Sequence, residues 1–142
     1  TDKLRLINFW STTCGPCVAE FPELIDTYRR FQNRPVELIT VSTDPIVARM
    51  KVLKFLKEQQ AALSPRTAKS VAKEGRKSNN YVYTGQNLDK LAEAIDTKWN
   101  GALPHSVLLA PNGKIIWRHT GQINAIKLRR AIVGWLDKAH GE

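Results

Sequence analysis

Cysteine is the scarcest chemically active residue in the chain: two in 142 residues, with no third to pair elsewhere. A tetrahedral zinc site built on them would need two more Cys or His ligands at finger or ribbon spacing. His105, His119 and His140 show no such spacing, so no metal is expected. No apolar run is long enough to span a bilayer, and the charged, apolar and small-residue succession of a signal peptide is missing. Internal repeats, low-complexity tracts and linkers are also lacking, so residues 1–142 read as one domain, long enough for a single proper core. Acidic residues are few, 13 against 22 Lys and Arg, giving a formal net charge of +9 and a pI near 9.8. Such a balance bears on non-specific attraction to anions, but no DNA- or RNA-binding motif accompanies it, and no nucleic-acid partner is expected.

Both cysteines sit in one tetrad, Cys14-Gly15-Pro16-Cys17. An apolar run of strand length, Leu4 to Trp10, precedes it. Val18, Phe21, Leu24, Ile25, Tyr28 and Phe31 follow at helical spacing, predicting a helix from about Pro16 to Phe31. Pro16 suits the first turn, where its missing N–H has no partner to lose. Pro22 falls inside the helix and is expected to kink it. The tetrad therefore lies where a strand becomes a helix. Free N–H groups and the helix dipole favour a thiolate there, and only the thiolate attacks a disulfide. Cys14 comes first and is expected to be the exposed nucleophile. Cys17, three residues on, is placed to resolve a mixed disulfide at Cys14 in an intramolecular step. A purely structural disulfide would normally close a longer loop between elements.

Asn8-Phe9-Trp10 followed by Cys14-Gly15-Pro16-Cys17 resembles the thioredoxin superfamily. Glu20-Phe21-Pro22, immediately after, resembles its TlpA/ResA-like branch of extracytoplasmic thiol-disulfide oxidoreductases. The resemblance implies protein disulfide or dithiol substrates, an upstream electron donor that no motif names, no cofactor, a monomer, and a periplasmic or membrane-anchored bacterial location. The two cysteines by themselves are equally compatible with the cytoplasm. Partner binding would fall on Thr13, Gly15 and Pro16 around the first cysteine. Thr13 departs from the pattern, since relatives typically carry Trp there, which bears on the shape of the docking surface. Pro104, ahead of the terminal hairpin, matches the superfamily's cis-proline, and Leu103 before it would offer backbone hydrogen bonds to a bound chain. Glu20, one turn after Cys17 on the same helix face, would take the Cys17 proton during resolution; the plain alternative is a solvated carboxylate at the helix start.

Along the rest of the chain, Val36 to Ser42 reads as a second strand, parallel to the first across a right-handed βαβ unit. Asp44-Pro45 offers a cap and first-turn proline for a helix with Val47, Met50, Leu53 and Leu56 on one face. Ser64-Pro65 resembles another helix start. Arg49 to Lys77 carries nine Lys and Arg against Glu58 and Glu74; this is either a solvated face or a surface for an acidic partner or an anionic membrane. Tyr81-Val82-Tyr83 reads as a short strand. Leu88, Leu91, Ala92 and Ile95 mark a helix capped by Asn87. His105 to Ala110 and Lys114 to His119 form a hairpin around Pro111-Asn112-Gly113. Leu128, Ile132, Trp135, Leu136 and Ala139 share a face of the last helix. The four tryptophans read as core or rim, and His105 is the one histidine near the cysteines. The order fits an α/β thioredoxin fold: a central mixed β-sheet flanked by helices, with an extended central insert and a truncated N-terminus. The abrupt start on a buried-type strand leads us to expect an anchor, signal peptide or further domain ahead of residue 1. The rival readings are a non-catalytic thioredoxin-like interaction module of a larger protein and a peroxiredoxin-like peroxidase. The latter family's Pro-x-x-x-Thr-x-x-Cys site is missing.

Overall fold

The computed structural model describes residues 3–61, 64–85 and 87–141, without the side chains of residues 88, 89 and 139–141. Expectations for Leu88 and Ala139 as face residues thus lie outside what is described. Five strands form one mixed sheet: β1 (Leu4–Trp10), β2 (Val36–Ser42), β3 (Asn80–Val82), β4 (His105–Leu109) and β5 (Ile115–Thr120), in the order β3-β2-β1-β4-β5. β1 pairs parallel with β2, Leu4 opposite Val36 and Trp10 opposite Ser42, and antiparallel with β4, Asn8 opposite Ser106. Among the described residues, five α-helices accompany them: α1 (Gly15–Arg30), α2 (Arg49–Glu58), α3 (Pro65–Lys73), α4 (Leu88–Ile95) and α5 (Ala125–Gly141).

The strand period of two splits the core cleanly. Leu4, Leu6 and Trp10 of β1 join Leu38, Leu108 and the buried rows of α1 and α5, including Phe21, Leu24, Leu128 and Ile132. Ile7 and Phe9 turn to the other face, against Ile39, Val107, Ala92 and Trp99. Asn8 faces the α1 side with the even-numbered residues, a polar side chain fully buried among apolar ones. Ser64 caps α3 by accepting from Thr67 N–H at 3.2 Å. Asn87 caps α4 by accepting from Lys90 N–H at 3.3 Å. At the end of the sheet away from the cysteines, Lys3, Glu37, Glu74 and Arg76 form a buried or half-buried ion cluster that ties the insert to β1 and β2. Arg76 is thereby taken out of the solvated basic face.

The segment after β2 differs from the sequence expectation in two ways. Asp44 caps no helix. A single 3₁₀ turn, Ile46–Ala48, comes first and α2 starts only at Arg49, with no side-chain cap. Three of the four residues on the predicted apolar face also look outward, Val47 at 90% exposed, Met50 at 75% and Leu53 nearly half exposed, while Leu56 packs against the core. Val52 is the buried residue instead, and Phe55 packs on Trp10 and Phe21 at centroid distances of 5.1 Å. The tighter 3₁₀ turn, three residues rather than 3.6, resets the phase of the helix that follows. Val52→Ala is therefore expected to lower the unfolding free energy by about 2 kcal/mol, and Met50→Ala to change it by less than about 0.5 kcal/mol. Urea melts of the two variants measure this; equal losses would contradict the orientation of α2.

Candidate active site

Cys14 is the N-cap of α1. Its backbone is extended, its Sγ accepts from the Cys17 N–H at 3.3 Å, and Pro16 occupies the first turn. The two cysteines are disulfide-bonded, with Cα atoms 5.3 Å apart. Cys14 is half-buried and Cys17 wholly buried. The first sulfur is thus the accessible one of the pair. Thr13, Gly15 and Pro16 around it are exposed. A side chain at Gly15 would meet nothing within 4 Å, so packing places no demand for glycine there.

The loop that presents Cys14 is held by Asp44. This buried carboxylate accepts from Thr12 N–H at 3.0 Å, Thr12 Oγ1 at 2.6 Å, Ser11 Oγ at 3.0 Å and Ser42 Oγ at 2.5 Å. Thr13, in turn, bonds Ser11 Oγ through its hydroxyl and its N–H. Burial raises the Asp44 pKa, and the bonds from Ser42, Thr12 and Ser11 outweigh it, so the carboxyl lies below its ordinary 3.8. The expected helix cap at Asp44 is instead the anchor of the cysteine loop. Its only early signal was a carboxylate directly after a buried strand.

Glu20 is not a solvated first-turn residue. It is 2% exposed, and both of its oxygens are used. Oε1 accepts from Asn8 Nδ2 at 2.9 Å and Oε2 from Ile123 N–H at 2.8 Å. Asn8 Nδ2 also donates to Ser106 Oγ at 3.0 Å, while Asn8 Oδ1 is buried without a hydrogen-bond partner. Burial pushes the Glu20 carboxyl above its ordinary 4.5, and the bonds from Ile123 and Asn8 only partly oppose this. The native state then holds a proton over a pH window where the unfolded chain has released it. This contribution to stability is present at low pH and is lost as pH rises through the native pKa.

The Leu103–Pro104 peptide is cis. Leu103 and Cys14 pack against the same buried cluster that contains Cys17. Pro104 O accepts from Gly121 N–H at 2.8 Å, joining this loop to the 121–124 turn whose Ile123 holds Glu20. Gly121 has φ of +97°, a conformation a side chain would strain. His105 is buried, stacked 4.8 Å from Trp99, with Nε2 3.0 Å from Asp96 Oδ2 and Nδ1 2.9 Å from Thr120 Oγ1. Burial lowers its pKa despite Asp96, so the ring is neutral at pH 7, Nε2–H donating to the carboxylate and Nδ1 accepting from the hydroxyl. Arg118 Nε also donates to Asp96 at 2.9 Å. His105 thus braces the loop from behind. Among the described residues no group of three or more His, Cys, Asp or Glu side chains could hold a metal.

The family model described as the AhpC/TSA family matches residues 1–118. The chain belongs to the AhpC/TSA family. Within the wider likeness, it is 26% identical over 132 residues to the thiol-disulfide oxidoreductase ResA of Bacillus cereus, covering 93% of the chain and 61% of that relative. It is 26% identical over 115 residues to ResA of Bacillus subtilis, covering 81% of the chain and 51% of that relative. The chain therefore spans only half to three-fifths of the curated relatives' length. A solution structure of a putative thioredoxin from Neisseria meningitidis superposes with a TM-score of 0.68 at 24% identity, covering the whole of this chain and 80% of that one. The family member described here accordingly has the thioredoxin fold, a mixed five-stranded sheet flanked by helices.

The Asp44 geometry yields a signed expectation. Asp44→Asn puts an amide N–H₂ among donors and should cost about 2–3 kcal/mol at pH 7. The folded pKa is depressed, so wild-type Asp44 stabilises the fold above its unfolded value of 3.8 and loses that stabilisation as pH falls below it. Thermal melts from pH 7 to pH 2 should show the two proteins converging at the acid end. A constant gap would contradict an ionised Asp44 as the anchor.

Proposed function

We propose that the chain is a thiol-disulfide oxidoreductase acting on protein disulfides, working as a reductase in the cell envelope. The observation that carries this is the half-buried Cys14 at the cap of α1, disulfide-bonded to a fully buried Cys17. In the reduced protein the Cys14 thiolate attacks one sulfur of a partner disulfide; a mixed disulfide forms and one partner thiolate leaves. Cys17 gives its proton to Glu20 and its thiolate attacks Cys14 Sγ. The mixed disulfide breaks, the second partner sulfur departs as a thiolate that takes its proton from solvent, and the Cys14–Cys17 disulfide remains. The partner gains two electrons and the pair loses two; an upstream dithiol donor restores it. A carboxyl whose pKa burial has raised lies closer to that of a thiol, which makes the proton transfer more nearly balanced. Leu103 and the cis Pro104 receive the partner backbone beside the sulfurs, and exposed Thr13, Gly15 and Pro16 meet its flanking residues. The envelope location draws on the Glu20-Phe21-Pro22 likeness to the TlpA/ResA-like branch.

A peroxidase is the less economical reading. A pair three residues apart at a helix cap serves resolution within one chain, whereas a peroxidase mechanism would ask for a single peroxidatic cysteine in its own motif. A non-catalytic module would leave the paired sulfurs and the buried carboxylate without a task. Cys17→Ser should trap a covalent mixed disulfide with a disulfide-bearing protein such as insulin, and Cys14→Ser should trap none. Non-reducing gels read the outcome; equal trapping by both, or no insulin reduction by the wild type, would sink the assignment.

A further inference from the structure

The outward turn of α2 leaves something unexplained by the exchange chemistry. Ile46, Val47, Met50 and Leu53 are all exposed on one short stretch, with Ile46 at 56%. Single exposed apolar residues are ordinary, but a contiguous run marks an interaction surface. Ile46 and Leu53 also line a groove of about 550 Å³ between α2 and β3, floored by Val52, Leu56 and Val82. Three features define what would fit it. The charged side chains lining the groove, Arg49 and Lys57, are both cationic, and α2 has no acid before Glu58. β3 is an edge strand with no partner on its outer side among the described residues. The stretch also begins beside the cysteine loop: Thr43 N–H bonds Trp10 O at 2.8 Å, and Asp44 holds Ser11 and Thr12.

We propose that this groove docks an acidic amphipathic segment of the substrate protein, lying extended along the open edge of β3 and flanking the disulfide that Cys14 attacks. Apolar side chains of the segment enter the groove, while its carboxylates meet Arg49 and Lys57. An open strand edge offers backbone hydrogen bonds to an added strand, and pockets for alternate side chains give selectivity. The concave shape suits a side-chain-bearing segment better than a flat bilayer. This inference rests on the exchange reading above and names its substrate class.

The test uses the reduced protein and short synthetic peptides carrying a cysteine in mixed disulfide with thionitrobenzoate. One alternates apolar residues with Glu, a second replaces Glu by Lys, and a third replaces the apolar residues by Ser. Glutathione disulfide is the small reference substrate. The wild type should prefer the acidic amphipathic peptide over both others by about tenfold in kcat/KM. Ile46→Asp, Leu53→Asp and the double reversal Arg49→Glu, Lys57→Glu, all at residues that line the groove, should each lower the ratio of peptide rate to glutathione-disulfide rate by a similar factor. Thermal melts check that each variant is folded, and Ile46, being 56% exposed, covers the case in which Leu53→Asp is not. Equal rates for the three peptides, or ratios unchanged in the folded variants, overturn the proposal. So does binding to phosphatidylglycerol vesicles that the same variants abolish while peptide ratios stay constant, which would make the patch a membrane contact. If the wild type reduces none of the disulfides, the exchange reading has failed. The groove is then tested alone by fluorescence binding of the acidic peptide without its disulfide, where no saturable binding overturns it.

Discussion

A carboxylate kept out of water three residues after a buried cysteine is a costly feature of this molecule, and much of the site is arranged around it. Glu20 needs two donors to remain ionised at all. They come from distant parts of the chain: Asn8 from the central strand and the Ile123 N–H from the turn before α5. Satisfying one carboxylate therefore fixes α1 against both the sheet and the last helix. The same turn donates to the cis-proline loop, from Gly121 N–H to Pro104 O. The cis-proline loop, the turn before α5, β1 and Glu20 of α1 are consequently parts of one hydrogen-bonded frame.

Asn8 has a particular place in that frame. Its Nδ2 serves Glu20 and Ser106, while Oδ1 is buried without a partner. An amide can rotate to offer either atom. Nδ2 suits the ionised Glu20, and a rotated Oδ1 would accept from the protonated one. The side chain can thus satisfy both charge states that the proposed mechanism requires. On the other side of the sheet His105, Asp96 and Arg118 brace the loop before β4, with burial lowering the His105 pKa.

Much of this was legible in the chain. The apolar run before Cys14, the helical row after it and the Asn112-Gly113 turn mark elements whose local preferences agree with their final packing, so periodicity sufficed. The spacing of Glu20 from Cys17 also announced a shared face, though not its burial, which depends on a strand and a turn remote in sequence. Asp-Pro is a good helix start locally, yet Ser11, Thr12 and the β2 residue Ser42 together offer the Asp44 carboxylate four stronger donors. α2 was misphased for a related reason. It carries apolar residues on two sides, and only the ring cluster of Trp10, Phe21 and Phe55 selects which side turns inward. Those partners are long-range, so no window of sequence contains the choice.

The account turns on the ionisation of Glu20, and the most direct measurement is a carbon-13 NMR titration of its side-chain carboxyl in the oxidised protein and again after reduction of the Cys14–Cys17 pair. The oxidised protein should titrate above the ordinary 4.5, and the reduced protein should show a second, coupled inflection as Cys17 ionises. A carboxyl that titrates at or below 4.5 in both states, blind to the cysteines, would contradict Glu20 as the proton acceptor.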